Sequence, residues 1–257
     1  MMSSEINLVD RIICAAAQAW KDDGEVLATG IGIVPRLAAS LCMVSINTDL
    51  MMTDSEAWIV QEPVPVGPRG DYQIKRESAM GFARIFDNVW GGKRHAMVGP
   101  TQIDRFGQAN ISMVGSDYAK PKSMMLGVRG FPGNSINHAN SFFVPNHSPK
   151  VFVAGEVDMV ASVGYNPARL ARGWSFEETV DIRQVFTNLC VLDFGGPAHQ
   201  VRLVSLHPGV TVEQVQASTG FELHVPAAVP VTADPTPEQL AWLARLDPHN
   251  LRATALG

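Results

Sequence analysis

Two acidic residues follow directly on a short apolar run in the first quarter of the chain. Asp54 and Glu56 come after residues 49–53, which read Asp-Leu-Met-Met-Thr and are typical of a strand. Open α/β sheets bind ligands at the carboxyl ends of their strands, so a carboxylate here is placed to act as a nucleophile or a base. Most loop carboxylates are simply solvated, and the residues alone leave that alternative open.

A second group of polar residues lies in the segment 127–140, which combines glycines with many amide and hydroxyl groups. Such a loop suits a backbone cradle for a phosphate, a carbonyl or an oxyanion. Within it, His138 is a candidate base or a donor to a substrate carbonyl. A lone histidine among asparagines more often satisfies local backbone groups, and that alternative is the more frequent one.

A glycine turn, Gly30-x-Gly32-x-x-Pro35, precedes a predicted helix and follows a predicted strand. Backbone N–H groups at such a turn can face an anion. The Rossmann dinucleotide fingerprint requires a third glycine where Pro35 stands, so the turn does not match it. The histidines follow no HxH or HExxH pattern, which predicts no metal site, and neither a P-loop nor a GxSxG elbow occurs.

The elements that must position these groups alternate between strands and helices. Amphipathic spacing predicts a helix over 7–21, and a run of helix formers predicts one over 36–43. Thr211 as a cap with Gln three residues later predicts a helix over 211–220, and Pro237 at a first turn predicts one over 237–246. Apolar runs predict strands at 25–29, 49–53, 96–99, 110–114, 150–154, 185–192 and 201–206. A Pro-rich stretch, 63–70, is predicted to be a loop. The alternation favours an α/β fold with an open, mostly parallel sheet.

Composition restricts the class of protein further. The 257 residues carry a formal net charge of −5 and show no Lys/Arg cluster, which argues against nucleic-acid binding. The three cysteines are widely separated and typical of buried thiols in a reducing compartment. Glu5 and Asp10 stand where a secretory peptide carries positive charge, and no apolar run is long enough for a membrane span. We expect a soluble cytoplasmic protein.

Motifs spread along the chain resemble those of class I coenzyme A-transferase β subunits. Gly99-x-x-Gln-Ile-Asp-x-Phe-Gly-x-x-Asn110 is similar to the family's GxxQVDxxGNxN turn, and residues 187–194 and 206–223 are similar to its carboxyl-terminal signature. The resemblance implies an open, mostly parallel α/β sheet over residues 1–230, followed by a proline-rich tail with a short helix over 231–257.

The resemblance also implies a partner and a substrate. Subunits of this type pair with a homologous α subunit, as an expected α2β2 heterotetramer, and bind an acyl-CoA substrate where the two subunits meet. Coenzyme A then enters as part of the substrate, and no other cofactor is expected. Family members that transfer CoA attack the thioester with a glutamate in a Ser-Glu-x-Gly motif, forming a glutamyl-CoA intermediate.

The nearest match to that motif is Ser55-Glu56-Ala57-Trp58, in which tryptophan replaces the glycine. The resemblance makes Glu56 the candidate catalytic residue of this chain, with the principal base on the α subunit. It makes the remaining candidates substrate-binding or CoA-binding residues: Gly30, Gly32, Ser55, Trp58, Gly130, Gly133, Asn134 and His138.

The altered motif is similar to that of a hydrolase branch of the family, known from steroid degradation in actinobacteria. That branch implies hydrolytic opening of a ring in a steroid-derived bicyclic acyl-CoA, by carbon–carbon bond cleavage. Two alternatives stay open: a genuine CoA-transferase of the glutaconate or 3-oxoacid type, and a non-catalytic scaffold subunit.

Overall fold

A computed structural model describes residues 6–54, 58–125 and 127–256 of the chain. They divide into two compact units. The first unit contains the described residues up to Val98 together with those from Thr232 onward, and the second is Gly99–Val231. The residues predicted as a tail therefore fold, from Thr232 on, with the amino-terminal part of the chain.

The elements alternate along the chain as an α/β protein requires. The helices in the described residues are α1 (Leu8–Ala17), α2 (Ile33–Ser45), α3 (Phe82–Gly91), α4 (Phe131–Asn137), α5 (Phe176–Thr179), α6 (Val212–Ala217) and α7 (Pro237–Leu246). The strands are β1 (Leu27–Gly30), β2 (Met51–Thr53), β3 (Trp58–Val60), β4 (Arg76–Ala79), β5 (Arg94–Val98), β6 (Gln102–Ile103), β7 (Ala109–Asn110), β8 (Met113–Val114), β9 (Ser123–Met124), β10 (Ala139–Val144), β11 (Asp181–Thr187), β12 (Cys190–Asp193) and β13 (Arg202–Leu206).

In the first unit, β1 lies between β5 and β2 and is parallel to both, while β3 and β4 follow β2 in antiparallel order. Helices α1 and α2 pack on each other, and α2 also contacts β1. The periodicity of α1 buries Ile12 and Ile13. Trp20, in the turn after α1, is also buried, and its indole N–H donates to the carbonyl oxygen of His95 at 3.2 Å. The core of this unit lies between these helices and the parallel strands.

The carboxyl-terminal residues complete the first unit. Thr236 forms a capping box with Gln239 at the start of α7, which then packs on α2 and α1. Arg252 donates to Asp10 of α1 at 2.5 Å and to Asp247 at 3.0 Å. These contacts fix the final segment against the amino-terminal helix.

In the second unit, β10 and β11 are parallel, and β12 and β13 continue the sheet in antiparallel order. All six residues of β10 are buried, as expected for a strand covered on both faces. The Thr211 capping box with Gln214 begins α6, as its sequence predicts. No helix of the described residues is long and apolar enough to cross a membrane.

The predicted α/β class is confirmed, and four local predictions are wrong. The run 110–114 is not one strand, because its two ends belong to β7 and β8, which pair with β6 and β9 respectively. Residues 150–154 form no regular strand, because the buried Phe152 makes only an isolated β-bridge, to Ile103. The run 185–192 holds two antiparallel strands, since the Thr187 hydroxyl accepts the N–H groups of Leu189 and Cys190 and reverses the chain. The segment 127–140 is not simply a loop, because it contains α4 and the start of β10.

The turn that follows β6 is built around a buried carboxylate. Asp104 accepts hydrogen bonds from the N–H groups of Phe106 at 2.9 Å and Gln108 at 3.0 Å. Burial nevertheless raises the pKa of Asp104 from 3.8 to about 6, against the lowering effect of those bonds. The folded protein therefore holds this proton at pH values where the unfolded chain has released it.

We expect Asp104→Asn to remove a pH-dependent loss of stability. In the wild type, the unfolding free energy falls as pH rises from about 4 to about 6, because the folded-state pKa is raised. The asparagine Oδ1 still accepts both N–H groups and carries no proton to lose. In urea unfolding, the variant should gain about 2 to 3 kcal/mol on the wild type between pH 4 and pH 7. A stability difference independent of pH would contradict this account.

Candidate functional site

The predicted nucleophile motif lies in the sequence between β2 and β3, which pair in antiparallel order. The N–H of Asp54 donates to the carbonyl oxygen of Trp58 at 2.9 Å, and Thr53 pairs with Ile59. Ser55 and Glu56 lie outside the described residues. Trp58 begins β3, and the guanidinium carbon of Arg76 stands 5.3 Å from its ring centroid. The motif is therefore anchored on both sides by backbone pairing.

Asp54 is the buried anion at the base of this connection. Its side chain has no exposed surface, and Arg69 donates to both of its oxygens, at 2.6 and 2.9 Å. Arg36 approaches the same carboxylate at 3.4 Å. A buried charge is tolerated when it is paired and hydrogen-bonded, and the bidentate Arg69 contact meets that requirement. The end of β2 is thus fixed by an ion pair whose carboxylate has no exposed surface.

The loop that carries Arg69 is held in place by the carboxyl-terminal segment. The N–H of Val66 donates to the carbonyl oxygen of Leu246 at 2.8 Å, and His249 Nε2 donates to that of Pro68 at 2.9 Å. Gly67 has a φ of +85°, and a Cβ there would lie 2.8 Å from a methyl carbon of Leu251. The last helical segment therefore positions Arg69, and through it Asp54.

The predicted glycine turn lies at the same edge of the sheet. Because Ala28 pairs with Met52 in parallel register, the end of β1 at Gly30 and the end of β2 are adjacent. A Cβ on Gly30 would lie 2.4 Å from the Pro35 carbonyl carbon, so only glycine fits. Gly32, with a φ of +101°, precedes α2. The structure thus brings Gly30 and Gly32 to the strand edge that carries the Asp54 to Trp58 connection.

The remaining predicted residues belong to the second unit and are placed by α4. Gly130 precedes the helix and accepts the N–H of Asn134 at 3.0 Å, and Gly133 lies in the first turn. A second helical hydrogen bond follows, in which the N–H of His138 donates to the carbonyl oxygen of Asn134 at 3.1 Å. The predicted glycine-rich loop is therefore helical in this part. The binding roles of these residues stay predictions.

Asn134 is part of a buried amide pair. Its Nδ2 donates to Asn140 Oδ1 at 2.6 Å, while Asn140 Nδ2 donates to the carbonyl oxygen of His138 at 2.7 Å. These bonds fix both amide orientations and leave Asn134 Oδ1 buried with no hydrogen-bond partner among the described residues. Beside them lies a polar cavity of about 130 Å³, lined by residues 136–139 and 177–181. That volume is too small for an acyl-CoA.

Sequence reasoning missed both arginines of the buried cluster. Arg36 stands at the start of α2 after the glycine turn, and Arg69 stands in the Pro-rich loop. A signal existed for Arg36, since a basic residue just after a strand and glycine turn is directed to the ligand edge of an α/β sheet. No local sequence signal marked Arg69, because its contact with Asp54 depends on tertiary packing against residues 246–251.

Comparisons with known proteins assign the chain to a class and then to a family. The glutaconate CoA-transferase from Acidaminococcus fermentans has the same fold, with a TM-score of 0.76 and 23% identity, covering 95% of this chain and 96% of that one. A scan against family models finds no match. The fold is therefore that of a CoA-transferase subunit.

More similar relatives define the family. The cholesterol ring-cleaving hydrolase IpdB subunit of Rhodococcus jostii is 38% identical over 256 residues, covering 97% of this chain and 96% of the relative. The crystal structure of Rhodococcus jostii IpdAB matches with a TM-score of 0.89 and 37% identity, over 97% of this chain and 98% of that one. The chain belongs to the family of cholesterol ring-cleaving hydrolase IpdB subunits.

We expect Asp54→Asn to destabilise the first unit strongly. The change leaves the Arg69 guanidinium without its buried counter-charge, which costs about 3 to 5 kcal/mol of unfolding free energy. The matched control is Asp181→Asn, since that carboxylate is half-exposed and paired with Arg183; it should cost less than about 1 kcal/mol. Denaturant unfolding of both variants measures the difference. Equal losses would contradict the role assigned to Asp54.

Proposed function

We propose that this chain is a subunit of an enzyme that hydrolytically opens a ring of a steroid-derived bicyclic acyl-CoA. The observation that carries the proposal is full-length kinship: the relative named as a cholesterol ring-cleaving hydrolase subunit aligns over 97% of this chain. The altered motif supports it, because Trp58 stands where CoA-transferring members have glycine. A bulky indole after Glu56 is poorly suited to a glutamate that must reach a thioester and form a covalent intermediate.

The proposed reaction breaks a carbon–carbon bond with water. Water adds to a ring ketone, the bond between the former carbonyl carbon and its ring neighbour breaks, and that neighbour takes a proton. The oxygen of water remains in the new carboxylate. General-base assistance to the water is the demanding step, and we assign the principal base to the partner subunit. This chain contributes Glu56 in a secondary role and shapes the pocket around it.

An exposed apolar face on α3 supports a partner subunit. Phe82, Phe86 and Trp90 follow one another at four-residue spacing and are 81%, 56% and 68% exposed. Such spacing places them on one side of a helix, and an apolar stripe of this kind marks a protein interface. We propose that a homologous α subunit covers it, in an α2β2 heterotetramer.

Two further features belong to the same proposal. Coenzyme A enters as part of the substrate, and we propose no additional cofactor, since water addition and proton transfer need only acid and base groups. We also propose a cytoplasmic location. The pKa values of Cys14, Cys42 and Cys190 are raised to about 12 by burial, which supports unreactive thiols suited to a reducing compartment.

We expect Glu56→Gln, in the complex with the partner subunit, to lower ring-opening kcat by less than about 10-fold. The reason is that no covalent glutamyl intermediate lies on the hydrolytic path, so only a secondary contact is lost. The assay follows turnover of a bicyclic keto acyl-CoA by chromatography, and Glu156→Gln serves as a surface control. The wild-type complex should be insensitive to hydroxylamine and should move no CoA to acetate or succinate.

A genuine CoA-transferase gives the opposite pattern. Glu56→Gln would then abolish activity, hydroxylamine with acyl-CoA would inactivate the wild type, and CoA exchange between acids would follow ping-pong kinetics. The scaffold alternative predicts that Glu56→Ala and changes in residues 130–138 all leave turnover unaltered. The transferase pattern is separated from the other two by the loss of activity in Glu56→Gln. The hydrolase and scaffold patterns are separated by the changes in residues 130–138, which lower ring opening only if this chain shapes the pocket.

A further inference from the structure

Arg36 carries hydrogen-bond donors that its surroundings leave poorly matched. Its Nη1 lies 3.5 Å from the carbonyl oxygen of Thr53, and its Nη2 lies 3.4 Å from Asp54 Oδ1. Both distances are beyond the usual range of N–H···O bonds. They are the side-chain hydrogen bonds of Arg36 within the described part of the chain, so other donors of the five-donor guanidinium remain available to a ligand or to water.

The contrast with Arg69 shows that Asp54 is already occupied. Arg69 takes both carboxylate oxygens at 2.6 and 2.9 Å, in the bidentate geometry that saturates such a pair. Arg69, and not Arg36, therefore makes the short bonds to this carboxylate. Burial lowers the pKa of Arg36, but a guanidinium keeps its proton in a protein.

The position of Arg36 indicates what its guanidinium can bind. Its side chain retains 22% of its exposure, at the carboxyl edge of β1 and β2, where α/β sheets bind ligands. Two apolar residues of the adjoining turn, Ile31 and Ile33, are 59% and 37% exposed. A guanidinium bordered by exposed aliphatic side chains fits a ligand that joins an anionic group to apolar atoms.

We infer that Arg36 binds an anionic oxygen of the acyl-CoA substrate, either a carboxylate on the acyl group or a phosphate of coenzyme A. The inference rests on the proposed function, since it takes the substrate class from there. Both groups present paired oxygens that match the guanidinium fork. The long contacts to Thr53 and Asp54 hold the fork in place before the ligand arrives, and the ligand supplies the short bonds.

The test compares Arg36→Gln and Arg36→Lys in the complex with the partner subunit, using isothermal calorimetry. Glutaryl-CoA, butyryl-CoA and butyryl-pantetheine are the probes, because they remove first the acyl carboxylate and then the phosphates. Arg169→Gln is the matched control, since Arg169 is exposed and fully paired with Glu156 at 2.8 and 2.9 Å. Thermal unfolding of each variant reports any structural effect.

Arg36→Gln should weaken binding about 10- to 100-fold for the probes that carry the recognised anion. Loss confined to glutaryl-CoA identifies the acyl carboxylate, and equal loss for both CoA thioesters with none for butyryl-pantetheine identifies a phosphate. Arg36→Lys should fall between the wild type and Arg36→Gln, because it keeps the charge without the fork.

The inference is overturned if Arg36→Gln leaves all three affinities unchanged, or lowers all three equally together with the unfolding temperature. Either result makes Arg36 a structural brace for β2. Failure of the wild-type complex to bind any CoA thioester overturns the proposed function itself, and the binding role of Arg36 with it. The two failures are therefore distinguishable.

Discussion

The ion pair between Asp54 and Arg69 is the interaction on which the candidate site depends. A carboxylate without exposed surface ends β2, and two short bonds from one guanidinium compensate its burial. The connection that carries Glu56 starts at this carboxylate and closes at Trp58 through a backbone bond. A catalytic side chain must be held in place by its neighbours. On either side of Glu56 in the sequence, Asp54 is held by an ion pair and Trp58 by strand pairing.

The same interaction depends on the carboxyl-terminal segment, which holds the loop that carries Arg69. Arg69 lies in a loop with little regular structure, and the loop is held by a backbone bond to Leu246 and by the side chain of His249. The segment that follows α7 is itself tied to α1 by the contact of Arg252 with Asp10. Removing residues near the carboxyl terminus would therefore disturb the strand edge through Arg69, although those residues carry no candidate catalytic group.

The sequence predicted the elements with clear local signals and missed those decided by tertiary contacts. Helices α6 and α7 were predictable because Thr211 and Thr236 form capping boxes, and β1, β2 and β5 because their apolar runs are bounded by turns. Helix α3 was missed although the four-residue spacing of Phe82, Phe86 and Trp90 was a readable signal for it. Residues 150–154 were wrongly predicted as a strand because their apolar composition is that of a strand, whereas only Phe152 among them makes a bridge.

The features of the candidate site also divide into those that the sequence predicts and those that depend on tertiary contacts. The glycines at 30 and 32 and the Asp54 to Trp58 connection were predictable, since family motifs and the strand-end rule agree on them. The charge balance around Asp54 was not predictable, because it arises from residues 15 and 18 positions away in the sequence. Physical reasoning from residues alone reached an α/β ligand-binding protein, and the family resemblance added the acyl-CoA and the partner.

The most direct test of the central claim is the mass of the product formed in oxygen-18 water. The complex of this chain with its partner should convert a bicyclic keto acyl-CoA into a ring-opened thioester heavier by one water molecule. The labelled oxygen should lie in the new carboxylate, and coenzyme A should still be attached. Release of free coenzyme A with the ring intact, or its transfer to another acid, would contradict the account.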